Sequence, residues 1–153
     1  MIRFLRILAA FLCCFILQSI FEVVLMSVLA KVGVVYMDVE VNSESFMEVI
    51  EVISVYYFYS KLFYFAPFYF VLSVAFTLYL SHNKEISFKN IAIVHIVVSL
   101  LIFLVLWFGF GNGFGFIANP LLGLLLAGFL IYLLALLSRK PLISHKGTAG
   151  KEK

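Results

Sequence analysis

Long runs of apolar residues alternate with short polar segments along this chain, and this pattern defines the predicted architecture. The apolar runs occupy about residues 5–29, 62–80, 91–110 and 117–137. Each provides roughly the 20 apolar residues that a helix needs to cross the hydrocarbon core of a bilayer. The runs are apolar on every side, as expected for helices that contact lipid and one another. The pattern predicts an all-α integral membrane protein, a four-helix bundle.

The segment between the first two runs, residues 31–61, has a different pattern. Residues 34–41 alternate between apolar and polar side chains, which predicts a short extended stretch. Ser45 and Glu48 then have the spacing of a capping box, and acidic and apolar positions recur at helical intervals after them. This part of the outer loop is therefore predicted to form a short amphipathic extracytoplasmic helix, either lying on the membrane surface or continuing into the second span.

That helix and the second apolar run are contiguous in the sequence. One unbroken helix over residues 46–80 would be roughly 52 Å long, which is too long for a single span at ordinary tilt. Proline lacks the backbone N–H that an α-helix uses and crowds the preceding turn. We therefore expect a bend near Ser60 or at Pro67.

The third and fourth runs are joined by a glycine-rich stretch, "WFGFGNGFGFIANP", residues 107–120. Glycine permits the positive φ angles of tight turns, and proline fits the first turn of a helix, so the stretch predicts a short helical hairpin. A phosphate-binding loop would require a preceding strand and often a lysine, and both are missing from this stretch. A partner-docking loop remains the alternative, because phenylalanines exposed outside the bilayer favour contacts.

Composition and charge place the chain in a membrane and orient it. The chain is 65% hydrophobic and 12% charged, whereas soluble domains carry about 25% charged residues. Basic residues favour the cytoplasmic side, so an even number of spans with both termini in the cytoplasm of a bacterial inner membrane is predicted. Nine of the 11 lysines and arginines would then be cytoplasmic, and Lys31 and Lys61 would lie outside. The nine are Arg3, Arg6, Lys84, Lys89, Arg139, Lys140, Lys146, Lys151 and Lys153.

The domain organisation follows from the same map. Residues 1–140 are predicted to form a single transmembrane domain, and residues 141–153 a basic, disordered cytoplasmic tail. The first apolar run is too long for the apolar core of a signal peptide and is not followed by a convincing cleavage site, so we expect it to be retained as a span.

A small polar patch inside the first span is the strongest candidate for a functional site. Glu22 lies in the apolar run, with Gln18 one turn earlier and Ser19 three residues before it. An ionisable residue inside a bilayer is costly and is expected to face the bundle interior. Three hypotheses fit this patch: a polar contact between helices, a contact with a partner subunit, and a proton or ion transport site.

His95 in the third span is interpreted as a structural residue, because Glu22 lies in the outer half of the membrane and His95 in the inner half. Neither a metal site nor a cofactor is predicted, since the other histidines lie in loops and Cys13 and Cys14 are adjacent. The two cysteines are interpreted as small packing residues.

Small residues mark one face of the fourth run. Ala127 and Gly128 follow Gly123 by four and five positions. Small residues at such spacing let helices approach closely. This pattern predicts a helix-packing face.

The sequence offers little chemistry, so a non-enzymatic role is expected. The main hypothesis is an accessory or assembly subunit of a larger inner-membrane complex, with the bilayer and other membrane subunits or further copies of the chain as partners. A small oligomeric transporter with its polar site at Glu22 is an alternative. The four-span plan also resembles that of some immunity proteins that block pore-forming toxins, without a shared motif. Nucleic acid is not expected as a partner, because the basic residues do not form a face.

Overall fold

The computed structural model describes residues 1–33, 45–82, 86–110, 120–138 and 141–143. Three segments with predictions lie outside these ranges: the extended stretch at 34–41, the glycine-rich turn at 111–119 and the tail after residue 143. The described part of the chain is almost entirely helical, which confirms the all-α prediction. Its elements are α1 (Ile2–Lys31), α2 (Phe46–Tyr59), a π-helical segment (Ser60–Phe65), α3 (Ala66–Ser81), β1 (Ile86–Ser87), α4 (Phe88–Phe110), α5 (Pro120–Leu137) and β2 (Pro141–Ile143).

Three helices are long and apolar enough to cross a membrane. They are α1, the continuous helix Phe46–Ser81 and most of α4, Phe88–Gly109. The fourth apolar helix is shorter, with Leu121–Leu137 as its apolar part. The expected fourth run therefore forms a helix, but its described length is less than that of the other three.

The predicted amphipathic helix continues without interruption into the helix of the second apolar run. The helix begins at Phe46, directly after Ser45, whose carbonyl accepts a hydrogen bond of 3.4 Å from the Val49 N–H. From there the backbone continues through the π segment into α3 as one helix of 36 residues. The second of the two predicted arrangements, continuation into the span, is the one observed.

The π segment lies where the sequence predicts a bend. It begins at Ser60 and ends two residues before Pro67. The N–H of Ala66 bonds to the carbonyl of Lys61, five residues earlier, so the turn is wider than in an α-helix. Pro67 has no N–H to donate to the preceding turn and crowds the carbonyl four residues before it. A wider turn just before the proline accommodates both effects.

Helix α1 is the centre of the bundle and contacts all the other helices. Its buried positions recur every three or four residues from Ile7 to Met26, which is one face of a helix. Apolar clusters pack against α1 at successive positions along its length. The first surrounds Phe11, and the last joins Met26 to Ile53 of α2.

One end of the bundle gathers the start of α1, the connection between α3 and α4, and the end of α5. Ile7, Leu80, Ile86 and Ala135 belong to a single buried cluster there. At the same end β1 pairs antiparallel with β2, so Ile86 lies opposite Ile143. Pro141–Ile143, at the beginning of the predicted tail, are therefore extended, and they satisfy backbone hydrogen bonds against β1.

Candidate functional site

Gln18 and Glu22 lie on the inward face of α1. Each residue is 1% exposed, and their spacing of four residues stacks one side chain above the other. Gln18 Nε2 donates a hydrogen bond of 2.7 Å to Glu22 Oε1. Ser19 is only partly buried, and its hydroxyl donates to the carbonyl of Phe15 in the preceding turn at 2.9 Å. The predicted polar patch therefore divides into two interior residues and one at the helix surface.

Glu22 has a partner that the sequence analysis missed. Lys61 Nζ lies 3.0 Å from Glu22 Oε1 and 3.0 Å from Oε2. The Lys61 side chain is 11% exposed, so both charges are withdrawn from solvent. The sequence analysis places Lys61 at the end of the outer loop, residues 31–61, directly before the second apolar run. The signal that it enters the bundle was its isolation within an aromatic, apolar stretch, "YYFYSKLFYF".

A third helix completes the polar group. Ser99 of α4 donates a hydrogen bond of 3.1 Å to Gln18 Oε1. Gln18 thus accepts from Ser99 through its carbonyl oxygen and donates to Glu22 through its amide nitrogen. The chain of contacts Ser99, Gln18, Glu22 and Lys61 links α4, α1 and the π segment, and we call these four residues the polar group. It fixes the relative positions of three helices.

Aromatic rings surround the ammonium of Lys61. Its Nζ is 4.3 Å from the centre of the Phe65 ring and 6.0 Å from that of Phe15. The negative face of an aromatic ring attracts a cation, and the attraction grows where water is excluded. The lysine charge is therefore compensated by the carboxylate and the rings together.

The π segment carries Lys61 to this site. A wider turn changes the face on which the following residues lie, and single π turns in α-helices are frequent at functional sites. Here the irregular backbone and the buried charge coincide, since Lys61 is the second residue of the segment and its carbonyl accepts the π-type hydrogen bond from Ala66.

His95 belongs to a second buried group. Tyr69 Oη lies 3.0 Å from the carbonyl of Phe11 and 2.6 Å from His95 Nδ1. A carbonyl only accepts, so the single hydroxyl proton goes to Phe11, and the tyrosine oxygen accepts from Nδ1–H. The other ring nitrogen, Nε2, has no hydrogen-bond partner within the described ranges. His95 and Glu22 thus have different partners, as their predicted depths suggested.

The three small residues of α5 are buried or close to a neighbouring helix. A Cβ on Gly123 would lie 2.7 Å from Met26 Sδ and 3.4 Å from Tyr57 Oη, so only glycine fits without a shift. A Cβ on Gly128 would be 3.4 Å from Ile96 Cγ1. Ala127 is fully buried. These positions bring α5 against α1 and α4.

Across the described parts of the chain, no three histidine, cysteine, aspartate or glutamate side chains are grouped closely enough to hold a metal ion. Cys14 is buried and Cys13 exposed, both as free thiols.

No protein-family model, curated protein or solved structure matches this chain. Its function is therefore inferred from the geometry and chemistry of its own residues.

Proposed function

We propose that this chain is an integral protein of a bacterial inner membrane, with both termini in the cytoplasm, and that it acts non-enzymatically as an accessory or assembly subunit of a larger complex. Three helices of spanning length support the insertion. The start of α1, the α3–α4 connection and the end of α5 share one end of the bundle. Among the described residues, Arg3 and Arg6 of α1 and Lys89 of α4 lie at that end, which favours a cytoplasmic position.

The observation that carries the proposed role is a set of exposed aromatic side chains around the π segment. Tyr59, Phe63, Tyr64 and Phe68, here called the aromatic surface, are each at least 50% exposed. The rings of Tyr59 and Phe63 stack with their centres 5.9 Å apart. Aromatic residues are enriched at protein interfaces, since they bring large contact areas at low entropic cost. A membrane protein that packs on the aromatic surface would bury these four side chains in its interface with this chain.

The interior supports the same conclusion. Within the described part of the chain, Glu22 is bound by Lys61 and Gln18 of the same chain, so it does not require a partner subunit to compensate its charge. Of the three hypotheses for Glu22, this pairing favours a polar contact between helices. The aromatic surface, rather than the buried Lys61–Glu22 pair, is then the region that a partner would contact.

Co-purification tests this proposal. The tagged chain is extracted in mild detergent, and its complexes are measured by native mass spectrometry. We expect recovery with other membrane proteins or further copies, and loss of that assembly in a Tyr59→Ala/Phe63→Ala variant. Phe129→Ala is the matched control, because Phe129 is equally exposed on α5, at 58%, outside the aromatic surface. Recovery of the wild-type chain only as a monomer would contradict the proposal.

A second candidate, a small transporter, is favoured by one observation. An ion pair inside a membrane helix bundle often marks an ion or proton pathway, and Glu22 and Lys61 form such a pair. Flux measured in liposomes with wild type and Glu22→Gln separates the candidates. Transport at Glu22 predicts that the variant loses flux, whereas equal flux in both proteins, or none in either, would exclude it.

A further inference from the structure

One face of α3 carries three polar side chains at intervals of four residues, Tyr69, Ser73 and Thr77. All three residues are buried, at 1%, 1% and 0% exposure, so this face of the helix points into the bundle. The Tyr69 hydroxyl contacts His95 of α4, which is also fully buried. A line of polar groups therefore runs along α3 from the Tyr69–His95 contact toward the end of the helix at Ser81.

The hydroxyls of Ser73 and Thr77 differ from those of the two α1 serines, Ser19 and Ser27, in what they bond. Ser19 and Ser27 donate to the backbone carbonyl one turn earlier, at 2.9 and 2.7 Å. The same bond is open to a serine or threonine in any helix. The hydroxyl oxygens of Ser73 and Thr77 nevertheless have no hydrogen-bond partner among the described residues. Their partner is therefore sought in the interior of the bundle rather than on the backbone of α3.

His95 contributes a third polar atom of this kind. Its Nδ1 contacts the Tyr69 hydroxyl at 2.6 Å, while Nε2, on the other side of the ring, has no partner in the part of the chain that the structure describes. Ser73 interacts with the same Tyr69 hydroxyl, although the two groups do not have the geometry of a direct hydrogen bond. A bridging water completes such a contact when two polar groups are close but not directly bonded.

The chemistry of these three atoms selects water as their ligand. A buried polar atom without a partner is costly in a low-dielectric interior, and a buried water typically bonds about two to four such atoms. Water both donates and accepts, so it can bond a hydroxyl and also an imidazole nitrogen, whether or not that nitrogen carries a proton.

We propose that buried water binds between α3 and α4, with the hydroxyls of Ser73 and Thr77 and Nε2 of His95 as its ligands. His95 lies one turn before Ser99, a member of the polar group, so the water site extends the polar interior of the bundle beyond that group along α3. The site lies inside the chain and is independent of any partner at the aromatic surface.

Water-edited solid-state NMR of the whole chain in liposomes tests the site. The experiment transfers magnetisation from water to nearby carbon nuclei, and the transfer rate at each residue reports its contact with water. Ser27 is the matched control, because it is equally buried, at 0% exposure, and its hydroxyl is bonded to Val23 within α1. We expect transfer to Ser73 and Thr77 to be several-fold faster than transfer to Ser27.

A variant without the two hydroxyls provides the second measurement. Ser73→Ala/Thr77→Val removes both proposed ligands on α3, and we expect transfer from water to the His95 ring to fall several-fold. Ser27→Ala is the control, since it removes a hydroxyl at an equally buried position that is not part of the site. This control should leave transfer to His95 unchanged. Circular dichroism of both variants verifies that the helices are retained.

Three results would overturn the proposal. Transfer to Ser73 and Thr77 as slow as transfer to Ser27 would mean that their hydroxyls bond their own helix and that the site is dry. Equally fast transfer to all three residues would mean that water enters the bundle generally and is not held at this site. Unchanged transfer to His95 in the Ser73→Ala/Thr77→Val variant would show that the two hydroxyls are not ligands of the water beside the ring.

Discussion

Lys61 and Glu22, 39 residues apart in the sequence, form a buried ion pair in which the ammonium lies 3.0 Å from each carboxylate oxygen. The pair joins the π segment to the central helix and is extended by Gln18 to Ser99 on α4. Removing both charges from a buried site often costs little, whereas removing one leaves the other uncompensated. This asymmetry makes the pair directly testable.

Lys61→Met is expected to destabilise the bundle strongly. The substitution leaves the Glu22 carboxylate buried without its cation, which typically costs about 3–5 kcal/mol. Unfolding by SDS titration in mixed micelles, followed by circular dichroism, measures the change. The double variant Glu22→Gln/Lys61→Met is the control, and it should recover most of the loss since it removes both charges. Equal loss in the single and double variants would show that the packing of the lysine stem, and not charge compensation, is what matters.

Tyr69→Phe removes the hydroxyl that bonds both Phe11 and His95. We expect a loss of roughly 1–3 kcal/mol, because the buried imidazole N–H loses its acceptor and the Phe11 carbonyl keeps only its bond within α1. The same unfolding assay measures it. Tyr79→Phe is the matched control, since Tyr79 lies on the same helix and is 70% exposed. Equal stabilities of the two variants would contradict the assigned hydrogen bonds.

Gly123→Ala and Gly128→Ala are expected to differ. The new methyl at position 123 would press on Met26 Sδ and Cγ, at 2.7 and 2.9 Å, so the methionine must move. Overpacking of this kind costs about 1–3 kcal/mol, and the flexible methionine favours the lower end. At position 128 the nearest atom is 3.4 Å away, and a small adjustment of Ile96 suffices. Similar unfolding midpoints for both variants would contradict close α1–α5 packing at Gly123.

Membrane orientation is tested by labelling single cysteines from outside with an impermeant reagent, after Cys13 and Cys14 are replaced by serine. A cysteine at Ser43 should react, and cysteines at Ser87 or Ser144 should not. The reason is that moving basic residues across the membrane against its potential costs about 2.3 kcal/mol per charge per 100 mV. Labelling at Ser144 alone would indicate an inverted protein. Labelling at both Ser43 and Ser144 would indicate an odd number of spans.

The sequence by itself determined the helical class and the approximate positions of the helices. These properties depend on local composition, since long apolar runs require internally satisfied backbone hydrogen bonds. The irregular turn within the helix Phe46–Ser81 was also predictable, because Pro67 disturbs its own preceding turn. The inward position of Glu22 and Gln18 followed from the cost of a charge on a lipid-facing surface.

Only the tertiary structure decided which residues meet. The sequence places Lys61 in the outer loop, whereas its burial depends on a π turn and on an acid in another helix. The pairing of Tyr69 with His95 and the contact of Gly123 with Met26 likewise depend on the rotation of each helix about its axis. In helices that are apolar on every side, no polar face indicates that rotation. It is fixed instead by steric fit and by a few buried hydrogen bonds, which exist only once the helices are assembled.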